Sequence, residues 1–362
     1  MFKFALGALF SLLLVWVPAS VNAQEDGSAV TSAKKHGKIR IVLRHHAPHA
    51  VGHVSAPHAH QRLARRVVLL HGRRKVVYQH VLHVAPAPGV QSMGDLAGLN
   101  LTRDPLDLKS SVAFVLDQSN SEVLFEKNAN VALPIASITK LMTGLVVVQA
   151  HQDMDEVLTV TDDDVDHKKF STSRLKVGAQ LSRANMLHIA LMSSENRAAA
   201  ALGRNYPGGL TAFVAAMNAK ARALGMTDTR YVDANGLSSL NVASARDLAK
   251  LVMVAYQEPI LRQYSTDPKY IVEPGGRPIQ YGNTNHLVAN PGWDIGLQKT
   301  GFINEAGRCL VMQARIEGRA VIMVFLDSKG KQSRTADAGR MRKWLEALKP
   351  APLSPPVPVA GG

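Results

Sequence analysis

Three short segments of this 362-residue chain carry side chains whose types and spacing could do acyl-transfer chemistry. In the run LPIASITKLMTGLVVV, Ser137 and Lys140 are three residues apart, so on a helix both lie on one face within reach of each other. A serine beside an amine can be a nucleophile beside its base. Ser194-Glu195-Asn196 follows 57 residues after Ser137, and Lys299-Thr300-Gly301 a further 105 residues on. They add a second hydroxyl, an amide and a second amine. The tetrad S-x-x-K alone is weak, because it recurs at Ser32/Lys35, Ser173/Lys176 and Ser328/Lys331, and a lone serine at a helix start is more often a cap than a catalyst. Ser239-Leu240-Asn241 also matches S-x-N, but it sits among turn formers and only 58 residues before the sole K-[S/T]-G.

What singles out Ser137 is the element that must carry it. Leu141, Leu145 and Val148 continue at helical spacing, and the run is too apolar for a surface helix, so it passes through a core and holds the serine rigidly. Pro134 suits the entry to that helix, whose positive end favours an ionised nucleophile. Upstream, Ser111–Leu116 and Val123–Phe125 read as a hairpin around the turn formers of 117–121. Downstream, amphipathic helices are expected over Leu181–Met192, Leu210–Leu224 and Ser244–Tyr256, the last capped by Ser244 with Asp247 at its third position. Asp153–Asp166 reads as a solvated acidic surface without the spacing of a calcium loop. Three strands (Gly296–Phe302, Arg308–Ile316, Ala320–Leu326) and a helix from Arg334 to Leu348 close the pattern. The order implies an α+β fold, an antiparallel sheet packed by helices.

Composition sets the surroundings. Lys3, the apolar stretch from Ala5 to Val17 and the small residues before Ala23 predict a cleaved secretory signal over residues 1–23, with export to the periplasm. The single cysteine, Cys309, cannot form an intramolecular disulfide, and its strand-like neighbours predict a buried, inert thiol. Most of the net charge of +14 lies in one place: from Gly27 to Gly94 there is no Asp or Glu against 4 Lys and 7 Arg, and ten of the 14 histidines fall between His36 and His83. We read residues 24–105 as a basic, His-rich flexible arm suited to anionic lipid or cell-wall polymers, with a local hairpin admissible within Gln61–Val84. Pro48 and Pro57 interrupt any helix that would align its histidines for a metal, and export argues against nucleic acid as a partner. The catalytic domain is placed at 106–349 and a Pro-rich tail at 350–362.

In the order S-x-x-K, S-x-N, K-T-G the three segments match the signature of penicillin-binding proteins and class A β-lactamases. The contexts PIASITKLMTG, MSSENRAA, DANGLSS, NTNHLV and LQKTGFINEAGRC resemble the low-molecular-weight penicillin-binding proteins of the D-alanyl-D-alanine carboxypeptidase family, in particular its endopeptidase branch. The resemblance implies a β-lactamase/transpeptidase-like fold with an all-helical subdomain, no cofactor and no metal. It assigns Ser137 as nucleophile, Lys140 as base and Ser194 as proton relay. Asn196, Lys299, Thr300 and Gly301 would bind substrate, and the backbone amides of Ser137 and Phe302 would form an oxyanion hole. Lys140 would work as a free amine because it is buried beside the cation Lys299. The implied reaction is hydrolysis of D-alanyl-meso-diaminopimelyl cross-links through an acyl-enzyme, with β-lactams as covalent inhibitors. Trimming of terminal D-alanine from stem peptides is the alternative. A β-lactamase fits less well, since no E-x-x-x-N lies between Ser194 and Lys299, and a non-catalytic wall-binding module leaves the complete motif set unexplained.

Overall fold

The computed structural model describes residues 61–70, 73–82 and 90–348; the predicted signal, the His45–His60 tract and the Pro-rich tail lie outside the described residues. The described chain forms two separate units. The first is an antiparallel hairpin of β1 (Gln61–Leu70) and β2 (Arg73–Leu82), in register from Gln61 opposite Leu82 to Leu70 opposite Arg73.

The second unit opens earlier than residue 106, which corrects the expected boundary. A four-residue helix, α1 (Met93–Leu96), is capped by Ser92 and fixed to the sheet: the Met93 N–H donates to the Glu305 carbonyl at 2.9 Å. A Cβ on Gly94 would come within 2.1 Å of an Asp327 carboxylate oxygen, so only glycine fits there. Asp104 is bound to Lys127 at 2.9 Å with both side chains 5% exposed. Elements this short leave no periodicity in the sequence, and their packing is visible only in space.

The sheet comprises β3 (Ser110–Asp117), β4 (Val123–Lys127), β11 (Asp294–Ile303), β12 (Gly307–Ile316) and β13 (Arg319–Ser328), in the antiparallel order β11-β12-β13-β3-β4. The expected strands are all present, each a few residues longer than periodicity indicated. The inner strands are buried on both faces, which is why they read as continuous apolar runs. Ala113, Val115, Met323 and Phe325 meet Met341 and Leu345 of the terminal helix α8 (Ser333–Ala347). Val112, Phe114, Ile322 and Val324 belong to the larger core shared with the helices.

That helical region is built around α2 (Thr139–Gln149), nine of whose residues are buried, Lys140 among them. Around it stand α3 (Arg183–Met192), α4 (Asn196–Arg204), α5 (Gly209–Ala223) and α6 (Ala245–Ala255), followed by α7 (Pro259–Thr266). Ser244 caps α6 by accepting from the Asp247 N–H, as its sequence predicts. Three two-strand pieces complete the unit: β5 (Leu133–Pro134) pairs with β8 (Val242–Ala243), β6 (Val157–Thr159) with β7 (Gln180–Ser182), and β9 (Lys269–Val272) with β10 (Ile279–Gly282). Pro134 is therefore a strand residue and not the first residue of a helix. The acidic segment is only partly solvated, because Asp164 is buried against Arg204 at 2.9 Å. Cys309 is fully buried, and burial pushes its thiol up to about 12.

Candidate active site

The three sequence segments converge on one cleft of about 420 Å³, lined by Ser137, Ser194, Asn196, Thr300, Gly301 and Phe302 among others. Each comes from a different kind of element. Ser137 lies in a single 3-10 turn, Ala136–Ile138, immediately ahead of α2, so it faces the positive end of that helix from just outside it. Ser194 sits in the link between α3 and α4, and Asn196 begins α4. Lys299, Thr300 and Gly301 lie on β11, the edge strand of the sheet.

Lys140 is the hub. Its Nζ reaches Ser137 Oγ at 2.8 Å, Asn196 Oδ1 at 2.8 Å and the Asn235 carbonyl at 2.5 Å. The side chain is fully buried, and loss of hydration lowers its pKa to about 7, against the opposing pull of Asp233 and Glu195. Desolvation is thus the cause, where the sequence reading gave weight to Lys299 as a neighbouring cation. The geometry fits a neutral amine: its two N–H groups satisfy the Asn196 and Asn235 oxygens, which leaves the lone pair for the Ser137 hydroxyl proton. Lys299 Nζ lies 3.0 Å from Ser194 Oγ and 2.8 Å from the Thr300 carbonyl. Burial first, then Lys140 and Arg334, hold its pKa well below the ordinary lysine value.

The turn carrying Ser137 is wedged between two glycines. A Cβ on Gly236 would lie 2.1 Å from the Ala136 carbonyl oxygen and 2.9 Å from the Ser137 nitrogen; one on Gly301 would lie 2.8 Å from the Ile135 oxygen and 3.2 Å from that same nitrogen. Gly301 therefore lets the edge strand approach the nucleophile turn, in addition to leaving room for an extended ligand. Ala136 and Ser194 hold positive φ of 48° and 62°, uncommon for residues with a side chain and a form of strain concentrated at functional sites. Ser137 and Phe302, whose backbone amides are expected to bind an oxyanion, both line the cleft.

Several contributors to the site were not singled out in the sequence. The turn-rich loop 231–239 is tied down by Asp233, whose carboxylate accepts from the N–H groups of Asn235, Gly236 and Ser238 and from Asn241 Nδ2. That bonding delivers the Asn235 carbonyl to Lys140. Asn241, the rival S-x-N asparagine, is buried and structural: it donates to Thr139 Oγ1 at 3.0 Å. Ser171 Oγ accepts from Asn196 Nδ2 at 3.0 Å and so fixes which end of the amide faces Lys140. Thr284, in NTNHLV, shares a 2.6 Å hydroxyl contact with Thr300. Arg334 on α8 donates to the Gly301 carbonyl at 2.8 Å. The loop carbonyl and Thr284 had a signal in the motif contexts, whereas Ser171 and Arg334 had none.

The pattern matches a family model described as D-alanyl-D-alanine carboxypeptidase, peptidase S11, over residues 100–330. The chain belongs to that family. It is 50% identical over 252 residues to a D-alanyl-D-alanine endopeptidase of Pseudomonas aeruginosa, covering 69% of this chain and 80% of the relative. Identity to a D-alanyl-D-alanine endopeptidase of Escherichia coli K12 is 42% over 272 residues, 73% of this chain and 85% of that one. Among solved structures, penicillin-binding protein D2 of Listeria monocytogenes, in its cefotaxime-bound form, superposes with a TM-score of 0.60 at 29% identity, covering 67% of this chain and 98% of that one. This S11 family member is a serine DD-peptidase with the transpeptidase-like fold that its motifs led one to expect. Among the described residues no helix is long and apolar enough to cross a membrane.

Proposed function

We propose that this protein is a periplasmic DD-endopeptidase that hydrolyses D-alanyl-meso-diaminopimelyl cross-links of peptidoglycan through an acyl-enzyme on Ser137. The observation that carries the assignment of roles is the Lys140 amine, dry and 2.8 Å from Ser137 Oγ. The neutral amine takes the hydroxyl proton as Oγ attacks the D-alanyl carbonyl, and the developing oxyanion is held by the Ser137 and Phe302 amides. Ser194, bound to Lys299 Nζ, hands a proton to the departing amine. Asn196 positions Lys140 and offers its amide to the substrate backbone. Lys299 and Thr300 meet the carboxylate on the leaving side, whose charge favours the ammonium form of Lys299 when substrate is bound. Water then hydrolyses the acyl-enzyme. A β-lactam, which presents a carbonyl and a carboxylate in the same relation, acylates Ser137 in the same way. The predicted signal and the basic arm supply export and attraction to anionic wall or membrane surfaces; arm-dependent, salt-sensitive wall binding that survives Ser137→Ala checks the latter.

The deciding experiment is mass spectrometry of cross-linked muropeptide dimers incubated with the purified protein, with Ser137→Ala and benzylpenicillin-treated protein as controls. The expected result is conversion of dimers to monomers that both controls abolish. Release of terminal D-alanine alone would assign the carboxypeptidase reaction instead.

A further inference from the structure

A second cavity, of about 510 Å³ and sharing no lining residue with the reactive cleft, holds a concentration of positive charge that the reaction as described does not use. Its walls are the loop from Arg174 to Ala179 and the turn between β9 and β10, from Pro274 to Ile279. Arg174, Lys176 and Arg277 line it, and no Asp or Glu does; Glu273 lies just outside, next to Pro274. All three cations are exposed.

Two lines of contact, both starting at Arg174, lead from this cavity toward the reactive cleft. On the helical side an Arg174 guanidinium nitrogen lies 3.4 Å from Ser193 Oγ, next to the hydroxyl assigned to protonate the leaving amine. On the strand side Arg174 donates to the Gln280 carbonyl at 2.6 Å and lies over the Tyr281 ring at 3.7 Å. Tyr281 in turn reaches Glu195 of the second motif, and three residues beyond it Thr284 touches Thr300. Both contact lines therefore lead to the Ser194 and Thr300 end of the cleft. That end receives the departing half of the substrate, because the group that loses its bond to the D-alanyl carbonyl must be the one beside the proton donor.

In a carboxypeptidase the departing half is a single amino acid. In an endopeptidase it is the second stem peptide of the cross-link, a chain bearing several carboxylates. We infer that the cavity lined by Arg174, Lys176 and Arg277 is the subsite for this departing, carboxylate-bearing strand, and that it adapts the cleft to cross-linked substrates over terminal D-alanine. The inference rests on the endopeptidase reading and names the half of the substrate for which that reading otherwise has no site. The charges lie at an exposed rim, so their attraction is screened by salt.

Arg174 also packs against Tyr281, so the test uses Lys176 and Arg277, whose replacement leaves the groups around Ser137 in place. The purified protein and the double variants Lys176→Ala/Arg277→Ala and Lys176→Glu/Arg277→Glu are compared on cross-linked muropeptide dimers and on benzylpenicillin, which has no second strand. The alanine pair should lower kcat/KM for dimers about tenfold, roughly threefold per exposed charge contact, mainly through KM. The glutamate pair should lower it further. Acylation by benzylpenicillin should stay within twofold, and added salt should reduce dimer cleavage by the unaltered protein more than by the alanine pair. Dimer kinetics unchanged in both variants, or a parallel loss of penicillin acylation, would overturn the subsite while leaving endopeptidase activity standing. An unaltered protein that acylates penicillin yet leaves dimers intact would remove the endopeptidase reading itself, and the subsite with it.

Discussion

The burial of Lys140 makes acylation depend on pH in a way that can be worked from the structure. An ordinary lysine amine, titrating at 10.5, would be neutral in only about one molecule in three thousand at pH 7; at a pKa of about 7 about half are neutral. Burial thus raises the population of competent base by roughly a thousandfold. The second-order rate of Ser137 acylation by benzylpenicillin, followed by stopped-flow between pH 5 and 9, should rise about tenfold per pH unit below 7 and level off above about 8. Glu195 stabilises the ammonium form, so Glu195→Gln should move the inflection to lower pH and raise the relative rate at pH 6. The same depressed pKa has a sign for folding. Between pH 7 and 10.5 the unfolded chain binds more protons at this lysine than the folded one, so the penalty for burying it is fully present below pH 7 and lifts as pH rises through that window. A rate that is flat from pH 5.5 to 8.5, or that breaks only near pH 10, would refute a buried neutral lysine as base.

Two further perturbations probe the scaffold. Gly236→Ala would place a methyl group 2.1 Å from the Ala136 carbonyl at a backbone φ of +80°; because the turn it strikes carries Ser137, penicillin acylation should fall by about a hundredfold or more, with a loss of a few kcal/mol in stability by thermal unfolding. Wild-type kinetics in that variant would mean the turn is free to move. Asp337 on α8 is fully buried and accepts from the Lys109 and Ser110 N–H groups and from Ser110 Oγ at 2.6 to 3.0 Å, so Asp337→Ala, which strands those donors, should lower the unfolding free energy by about 3 kcal/mol in urea titrations.

The chemistry of this protein was legible in its sequence because it resides in residue types at short spacings on regular elements. Ser137 and Lys140 three apart before an apolar run, and a K-T-G on a strand, are local facts, and the periodicities of α2, α3, α5, α6 and the sheet strands are local too. Less legible were pieces too short to show a period. Residues 90–105 carry no period that separates them from the basic arm, yet α1 is bonded to Glu305; Pro134 suits the entry to a helix, yet it pairs with Val242. A four-residue helix or a two-residue strand is held by its neighbours and not by its own pattern.

Sequence by itself therefore determined the reagents: two serines, two lysines, an asparagine and a glycine strand. Only the tertiary structure decided their state and their aim. It buried Lys140 so that water no longer holds its proton, and it brought the Asn235 carbonyl to its Nζ from 95 residues away. It also turned the Asn196 amide with Ser171, and closed Gly236 and Gly301 on the nucleophile turn. Desolvation and convergence depend on what surrounds a side chain in three dimensions, and no spacing along the chain encodes either directly.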